Sequence, residues 1–305
     1  MKIAIVTGAF GFAGANLCEY LLSEGYKVYA IGREGSAHNE RLPESRLLRP
    51  VFLPMEEYDR IPEYLDEKEH SGDVFFFNLA WGGGRDDKEA QAKNVDGALL
   101  FFDGAVRLKK LGYNVKYIGI GSQAEYGAVE GNEKYDEETD LNPITAYGRE
   151  KVRAYELLKK RAKEDEIYFV WGRIFSLIGK YEPSGRMLPD LLGKLDSGRD
   201  VFLSSCEQYW DYMDARDGAR AIALLGEKGR DGQAYNIADG RYRVLKEFVY
   251  EAADILRADK SLIHFGGRAK PFISLRPSVL KLKRDTGFEP EVTFKDSICL
   301  KNWKA

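Results

Sequence analysis

The residues best suited to chemistry lie in three places along this 305-residue chain. The first is the turn Thr7-Gly8-Ala9-Phe10-Gly11-Phe12-Ala13-Gly14, which follows the apolar run Ile3-Ala4-Ile5-Val6 and leads into a helical segment. Glycines at 8, 11 and 14 permit a tight turn, close approach of backbone to a pyrophosphate, and packing of helix on strand. Amide groups at the start of such a helix point at the ligand, and the helix dipole favours its charge. Ordinary βα turns also contain glycines, so it is the strand before and the helix after that make this triplet a dinucleotide-binding signal. The second place is Arg33, closing the next strand in Ile31-Gly32-Arg33. An acid there would accept hydrogen bonds from the adenosine ribose and repel an added phosphate, whereas a guanidinium grips that phosphate. Arg33 therefore predicts a preference for NADP(H), with NAD(H) possible; the adjoining Glu34 keeps open the alternative of a solvated surface arginine. The third is Tyr147 with Lys151, four residues apart on one face of a predicted helix. Spacing alone singles out nothing, because Tyr64/Lys68, Tyr155/Lys159 and Tyr242/Lys246 share it. Tyr147 differs in following, after one loop, Ile118-Gly119-Ile120-Gly121-Ser122, a strand that would end beside the nicotinamide.

The elements that must hold these residues follow from the pattern of apolar side chains. Short β-rich runs alternate with longer amphipathic segments, which implies βα units and a mostly parallel sheet. Strands are expected near 2–7, 27–32, 50–53, 73–80, 115–121 and 167–175. Val74-Phe75-Phe76-Phe77 is apolar on successive residues, as in a strand covered on both faces. A helix is expected over 12–24, ending at Gly25, and Val95, Leu99, Phe102 and Val106 mark the stripe of another that stops at Gly112. After about residue 175 the rhythm changes to a Pro/Gly loop at 181–185, a helix from 187 and a short strand at 201–203. A helix near 214–227 and a strand near 234–238 return to the sheet, and a basic segment runs from 268 to 284. The expected fold class is α/β, a Rossmann-like doubly wound parallel sheet with a smaller, discontinuous C-terminal α/β domain. Residues 1–178 and 212–239 would form the dinucleotide-binding domain, and 179–211 with 240–305 the substrate-binding one.

Composition narrows the class further. With 46 basic and 49 acidic side chains the formal charge is -3, which provides no general attraction to nucleic acid or an anionic membrane. Cys18, Cys206 and Cys299 are odd in number and show no CxxC spacing, which fits a reducing compartment and argues against structural zinc. His38, His70 and His264 are too scattered for a metal cluster, so no metal is expected. Met1-Lys2-Ile3-Ala4-Ile5-Val6 reads directly into a strand, without a cleavable leader, and the longest apolar stretch, 74–81, is too short to span a bilayer. These features predict a cytoplasmic protein with neither membrane nor nucleic acid as partner.

Further pieces join the three sites in order: Asn78-Leu79-Ala80, Asn94 within Lys93-Asn94-Val95-Asp96-Gly97, and Gly121-Ser122-Gln123-Ala124-Glu125-Tyr126-Gly127. Arg173-Ile174-Phe175, Trp210-Asp211-Tyr212-Met213, Asp217 and Tyr235-Asn236-Ile237 follow. In this combination the chain resembles the extended short-chain dehydrogenase/reductases, in particular the NAD(P)-dependent epimerases, dehydratases and reductases of nucleotide-sugars. The resemblance implies proton-coupled hydride transfer at a sugar carbon, with Tyr147 as general acid. Lys151 would bring the phenol down from its usual pKa of about 10 and bind the nicotinamide ribose. Ser122 would hold the substrate oxygen. The resemblance also places coenzyme contacts at Gly8, Phe10, Gly11, Phe12, Gly14, Arg33, Leu79, Ala80, Asn94 and Ile174, besides Tyr147 and Lys151. Substrate contacts would come from Trp81, Ser122, Gln123, Tyr126, Ser176, Arg186, Trp210 and Arg276, and a homodimer is expected.

Departures from the family pattern narrow the reaction. Dehydratases carry an Asp-Glu pair after the serine or threonine; here Gln123 and Ala124 stand there and can transfer no proton. Glu125 comes one place later and is expected on the other face of the strand. Trp210 replaces an arginine that pairs with the substrate diphosphate in many relatives, which leaves Arg186, Arg268, Lys270 or Arg276 as alternative cations. Ser176 replaces an asparagine. The favoured reading is an NADPH-dependent reductase of a nucleotide-diphosphate 4-keto-6-deoxyhexose. An NAD-dependent 4-epimerase is the alternative, and a non-catalytic NADP-binding sensor or scaffold is the alternative of another class.

Overall fold

The computed structural model describes residues 2–35, 38–66, 72–128 and 134–299; His70 lies outside them. Seven parallel strands form one sheet: β1 (Ile3–Thr7), β2 (Lys27–Gly32), β3 (Leu48–Phe52), β4 (Asp73–Asn78), β5 (Asn114–Ser122), β6 (Tyr168–Ile174) and β7 (Gln233–Ile237). Their spatial order is β7-β6-β5-β4-β1-β2-β3. Each coincides with an expected strand to within a few residues. The run expected over 73–80 stops at Asn78 because the amides of Leu79 and Ala80 turn away and donate to Thr7 Oγ1, at 3.2 and 3.3 Å.

The helices that matter are α1 (Phe12–Ser23), α2 (Lys88–Lys110), α3 (Ala146–Glu164), α4 (Met187–Asp196), α5 (Ala215–Lys228) and α6 (Leu245–Leu256). α2 and α3 pack on one face of the sheet, α1 and α5 on the other. The phenylalanine run of β4 shows why its pattern has no alternation. Phe76 enters the core under α2 with Phe101 and Tyr117, whereas Phe75 and Phe77 enter the opposite core with Leu17, Leu21 and Leu225. Each such ring contributes about 1.5–3 kcal/mol when fully buried. Among the elements that the sequence pattern does not announce is the 3₁₀ segment Met55–Tyr64. Its buried residues Tyr58 and Ile61 are three apart, the eclipsed spacing of a 3₁₀ helix and not the stripe of an α-helix.

The strand order reverses between β4 and β1, where the chain leaves toward α1 on one face and α2 on the other. In open α/β sheets ligands bind in the crevice outside the carboxyl ends of the strands at this point. A separate apolar cluster collects Ile178, Leu188, Leu191, Leu195, Val201, Val249, Ala252, Ile263 and Ile298, from α4, α6 and the parallel pair Val201–Leu203 with Ile263–Phe265. Buried carboxylates fasten this later part of the chain to the sheet. Asp211 accepts the amides of Asp239 and Gly240, both at 2.8 Å, and Asp217 those of Glu291 and Val292 at 2.9 and 2.8 Å. No helix among the described residues is long and apolar enough to cross a membrane, and Cys18, Cys206 and Cys299 are all free thiols.

Candidate active site

Ser122 is the last residue of β5 and caps the one-turn 3₁₀ helix Gln123–Glu125, its hydroxyl accepting the amide of Ala124 at 3.2 Å. Opposite it stands the start of α3. Thr145 caps that helix, accepting the Gly148 amide at 3.0 Å, and the Tyr147 amide donates to the carbonyl of Arg85 at 2.8 Å. Gly148 makes the approach possible: a Cβ there would lie 2.4 Å from the Ala124 carbonyl oxygen. The result brings Ser122 and Tyr147 together, near enough for the serine to favour the phenolate. Lys151 lies one turn further along α3, 3 % exposed, its Nζ donating to the Ile120 carbonyl at 2.6 Å.

The loop after β4 supplies the other walls. The Trp81 ring lies 3.6 Å from Lys151 Nζ and meets the Tyr147 ring edge-on at 6.4 Å, while the Arg85 guanidinium lies 4.8 Å from the same phenol ring. Gln91 fastens this loop, accepting from the Trp81 indole at 2.6 Å and donating to the carbonyls of Gly82 and Gly84. Arg85 escaped the sequence reading because nothing local distinguishes one loop arginine from another.

Burial is the largest influence on both Tyr147 and Lys151. Burial pushes the phenol above its ordinary value, opposed by the Ser122 hydrogen bond and the Arg85 charge, while Glu125 pushes it further up. Burial also holds the Lys151 amine well below the usual lysine range, opposed by Glu125. In the protein by itself removal from water thus favours the neutral form of each group.

The cradle for a dinucleotide lies at the other side of the crevice. Gly8 adopts φ +66°, and a Cβ on Gly14 would fall 2.1 Å from the Gly8 carbonyl oxygen, so α1 begins hard against the turn. Gly11 precedes α1 without any side-chain cap, and the first turn carries no acid. An uncapped, uncontested helix start of this kind fits a pyrophosphate. Arg33 stands exposed just past β2. Arg41, unremarked in the sequence, donates to the Phe10 carbonyl at 3.1 Å and brings a second guanidinium to the same turn.

The other residues expected at the coenzyme differ in burial and in partners. Phe10 is 5 % exposed, with its ring against Gly32 and stacked on Phe52 at 5.8 Å; it wedges the turn from behind, whereas Phe12 is half-buried. Asn94 binds loop backbone, accepting the Gly82 amide and donating to the Gly82 carbonyl, both at 2.9 Å, so its amide is committed to shaping the loop. Leu79 and Ala80 are half-buried beside the turn, and Ile174 pairs with Ser122 at the ends of β6 and β5. Tyr126 is core: 1 % exposed, packed on Tyr135 and Phe175, its hydroxyl donating to Asn236 at 2.7 Å and accepting from Arg173 at 3.1 Å. Glu125 does not lie across a strand. It closes the 3₁₀ turn and folds back to accept the Ser122 amide at 2.8 Å.

Among the residues expected at the substrate, Trp81 and Gln123 are half-buried beside Tyr147 and Ser122 respectively. Arg186 is exposed over the Phe12 ring at 5.5 Å, and its charge is felt at Tyr147. Ser176 accepts the Met213 amide through its carbonyl at 2.9 Å. Trp210 packs with Tyr212 at 6.3 Å, and Arg276 lies on the rings of Tyr209 and Tyr242 at 4.3 and 5.5 Å. Arg268 lies over Phe272 at 3.7 Å.

Fold and site together fit one class, an α/β enzyme of the extended short-chain dehydrogenase/reductase type. The model of the NAD dependent epimerase/dehydratase family matches residues 4–238, and the chain belongs to that family. Among its relatives is GDP-6-deoxy-D-mannose reductase of Pseudomonas aeruginosa, 24% identical over 312 residues, covering 98% of this chain and 96% of that one. Among solved structures, UDP-glucose 4-epimerase of Thermotoga maritima with UDP-glucose superposes with a TM-score of 0.84 at 23% identity, covering 99% of this chain and 97% of the other. RMD of Pseudomonas aeruginosa complexed with NADPH gives 0.76 at 22% identity, covering 100% and 99%.

Proposed function

We propose that the chain is an NADPH-dependent oxidoreductase that reduces the 4-keto group of a nucleotide-diphosphate 6-deoxyhexose. The observation that carries this reading is the convergence of Ser122, Tyr147 and Lys151 at the carboxyl end of β5, where Gly148 lets α3 close on the turn after Ser122 and Lys151 donates to the Ile120 carbonyl. NADPH, when bound, supplies the hydride to the carbonyl carbon. Tyr147 gives its phenolic proton to the carbonyl oxygen, so that an alcohol and not an alkoxide is left. Ser122 holds that oxygen at the phenol. Lys151 binds the nicotinamide ribose, and its ammonium, like the guanidinium of Arg85, stabilises the phenolate that forms. Gln123 and Ala124 offer no acid or base for eliminating water, which separates this reaction from a 4,6-dehydration. The reductase relative named above supports the same direction.

The preference for NADPH rests on Arg33, with Arg41 as a second cation at the same turn. Replacing Arg33 by glutamate is expected to weaken NADPH binding about 10- to 100-fold, the loss of a charge-assisted hydrogen bond of about 1.5–3 kcal/mol. NADH binding should stay within a few-fold, and fluorescence titration of both coenzymes measures the two. Equal losses for both would refute the assignment of Arg33 to the extra phosphate.

The direct test mixes purified protein with NADPH and a panel of 4-keto-6-deoxy nucleotide-sugars and follows the reduced nicotinamide absorbance. Coenzyme consumption matching product formed is expected. Protein that arrives with bound NAD and interconverts nucleotide-sugars without consuming coenzyme would make it an epimerase instead.

A further inference from the structure

Glu125 is wholly buried (0 % exposed), and the mechanism above gives it no proton to move. Its partners are unusual for a buried acid. One oxygen accepts the Ser122 amide at 2.8 Å, the other the Arg173 guanidinium at 2.7 Å, and both share the Trp171 indole, at 3.1 and 3.2 Å. Arg173 also donates to Tyr126, whose hydroxyl continues to Asn236 on β7. Space for this arrangement exists because residue 121 is glycine: a Cβ there would lie 2.1 Å from the Glu125 carboxylate and 2.2 Å from the Trp171 indole nitrogen. The carboxylate is therefore inserted beneath the end of β5, between the strand that presents Ser122 and the helix that presents Lys151.

We infer that Glu125 is the positioning residue of this site, fixing Ser122 through its amide and serving as the buried counter-charge for the ammonium of Lys151. The inference rests on the roles proposed above for Ser122 and Lys151. Among the described residues, the charged and titratable groups around Lys151 are Glu125 from the 3₁₀ turn, Arg173 from β6 bonded to Glu125, and Tyr147 on its own helix, with the neutral Trp81 ring covering it. Arg173 is itself matched by Glu125 and by the Tyr126 and Tyr155 rings, at 4.9 and 5.3 Å. Glu125 is thus the one acid among them, and its charge raises the proton affinity of both Lys151 and Tyr147. A buried ion pair that served stability alone could be exchanged for apolar side chains at little cost. One that sets the protonation of Lys151 could not.

The test compares wild type with Glu125→Gln, Glu125→Asp and the double variant Glu125→Gln/Arg173→Met, in which the Arg173 guanidinium is not left buried without its partner. The Lys151 amine is titrated by NMR in the protein without substrate, and the pH dependence of kcat/KM is recorded with NADPH. In Glu125→Gln, Lys151 should release its proton about one pH unit lower, a typical effect of removing one nearby opposite charge. Because the same carboxylate also favours the proton on Tyr147, the alkaline limb of the pH profile should move to lower pH as well. The double variant should recover the melting temperature yet keep the displaced titration, and Glu125→Asp should lie nearer wild type. An unmoved Lys151 titration in the charge-neutral variants overturns the inference, as does failure of both to fold, which would assign the pair to stability alone. If wild type reduces none of the sugars tested, the functional reading falls, while the substrate-free titration still decides the role of Glu125.

Discussion

Replacing Tyr147 by phenylalanine is expected to lower turnover about 10²- to 10⁴-fold, the range associated with losing a positioned general acid. The change removes one hydroxyl and leaves the ring against Trp81 and Arg85, at 6.4 and 4.8 Å, so the walls of the crevice should stand. A hydrogen bond lost with the hydroxyl would be a stability effect of only about 0.5–1.5 kcal/mol. NADPH affinity should therefore change by less than about ten-fold, since one such bond corresponds to at most that factor. Single-turnover reduction, coenzyme titration and a thermal melt on the same preparation separate the three quantities. Turnover within ten-fold of wild type would show that the phenol is not the proton donor.

Replacing Gly148 by alanine is expected to damage catalysis nearly as much although no functional group is removed. The added methyl would meet the Ala124 carbonyl at 2.4 Å and the Pro143 side chain at 2.9 Å. Neither neighbour is the loose end of a flexible side chain, so the first turn of α3 must withdraw from the 3₁₀ turn after Ser122. Tyr147 moves with it, and a displacement of about 1 Å at a reacting group can cost about 10²-fold in rate. Overpacking of this kind also destabilises by about 1–3 kcal/mol. The dinucleotide cradle is built by residues 8–14 on a different element, so NADPH binding should persist. Full activity combined with an unchanged Ser122–Tyr147 contact in a crystal structure would mean that the close approach at Gly148 does not matter.

Both expectations turn on a geometry that was only partly legible in the sequence. Ser122, Tyr147 and Lys151 were identified from motif order, and the glycine turn from its strand-and-helix context. Asn94 and Tyr126 were equally visible as family matches, yet their polar groups are committed to the loop after β4 and to the Arg173–Asn236 network. Period-two alternation carried past the end of β5 would put Glu125 on the other face of the strand. In fact the backbone leaves the strand at Ser122 and turns, which brings the carboxylate back under the serine. Arg85 and Arg41 had no motif to mark them, and only the packing of their loops against α3 and the glycine turn reveals what they touch.

The amino-acid order by itself determined the alternation of strands and helices, the two-sided burial of β4, the phosphate-type turn and the set of side chains able to exchange a proton. Those properties depend on residues near one another in the chain, through hydrophobic period, turn conformation and helix spacing. Which tyrosine and lysine face a serine was decided only by the tertiary structure. Tyr155 and Lys159 share the spacing and even hydrogen-bond each other at 3.1 Å, yet Tyr155 packs on Phe169 and Trp171, away from Ser122. The distinction comes from the parallel register that sets Ser122 beside Ile174 and from the missing side chain at Gly148 that lets α3 close on the turn. Both are contacts between segments distant in sequence, and no local pattern encodes the distance between them.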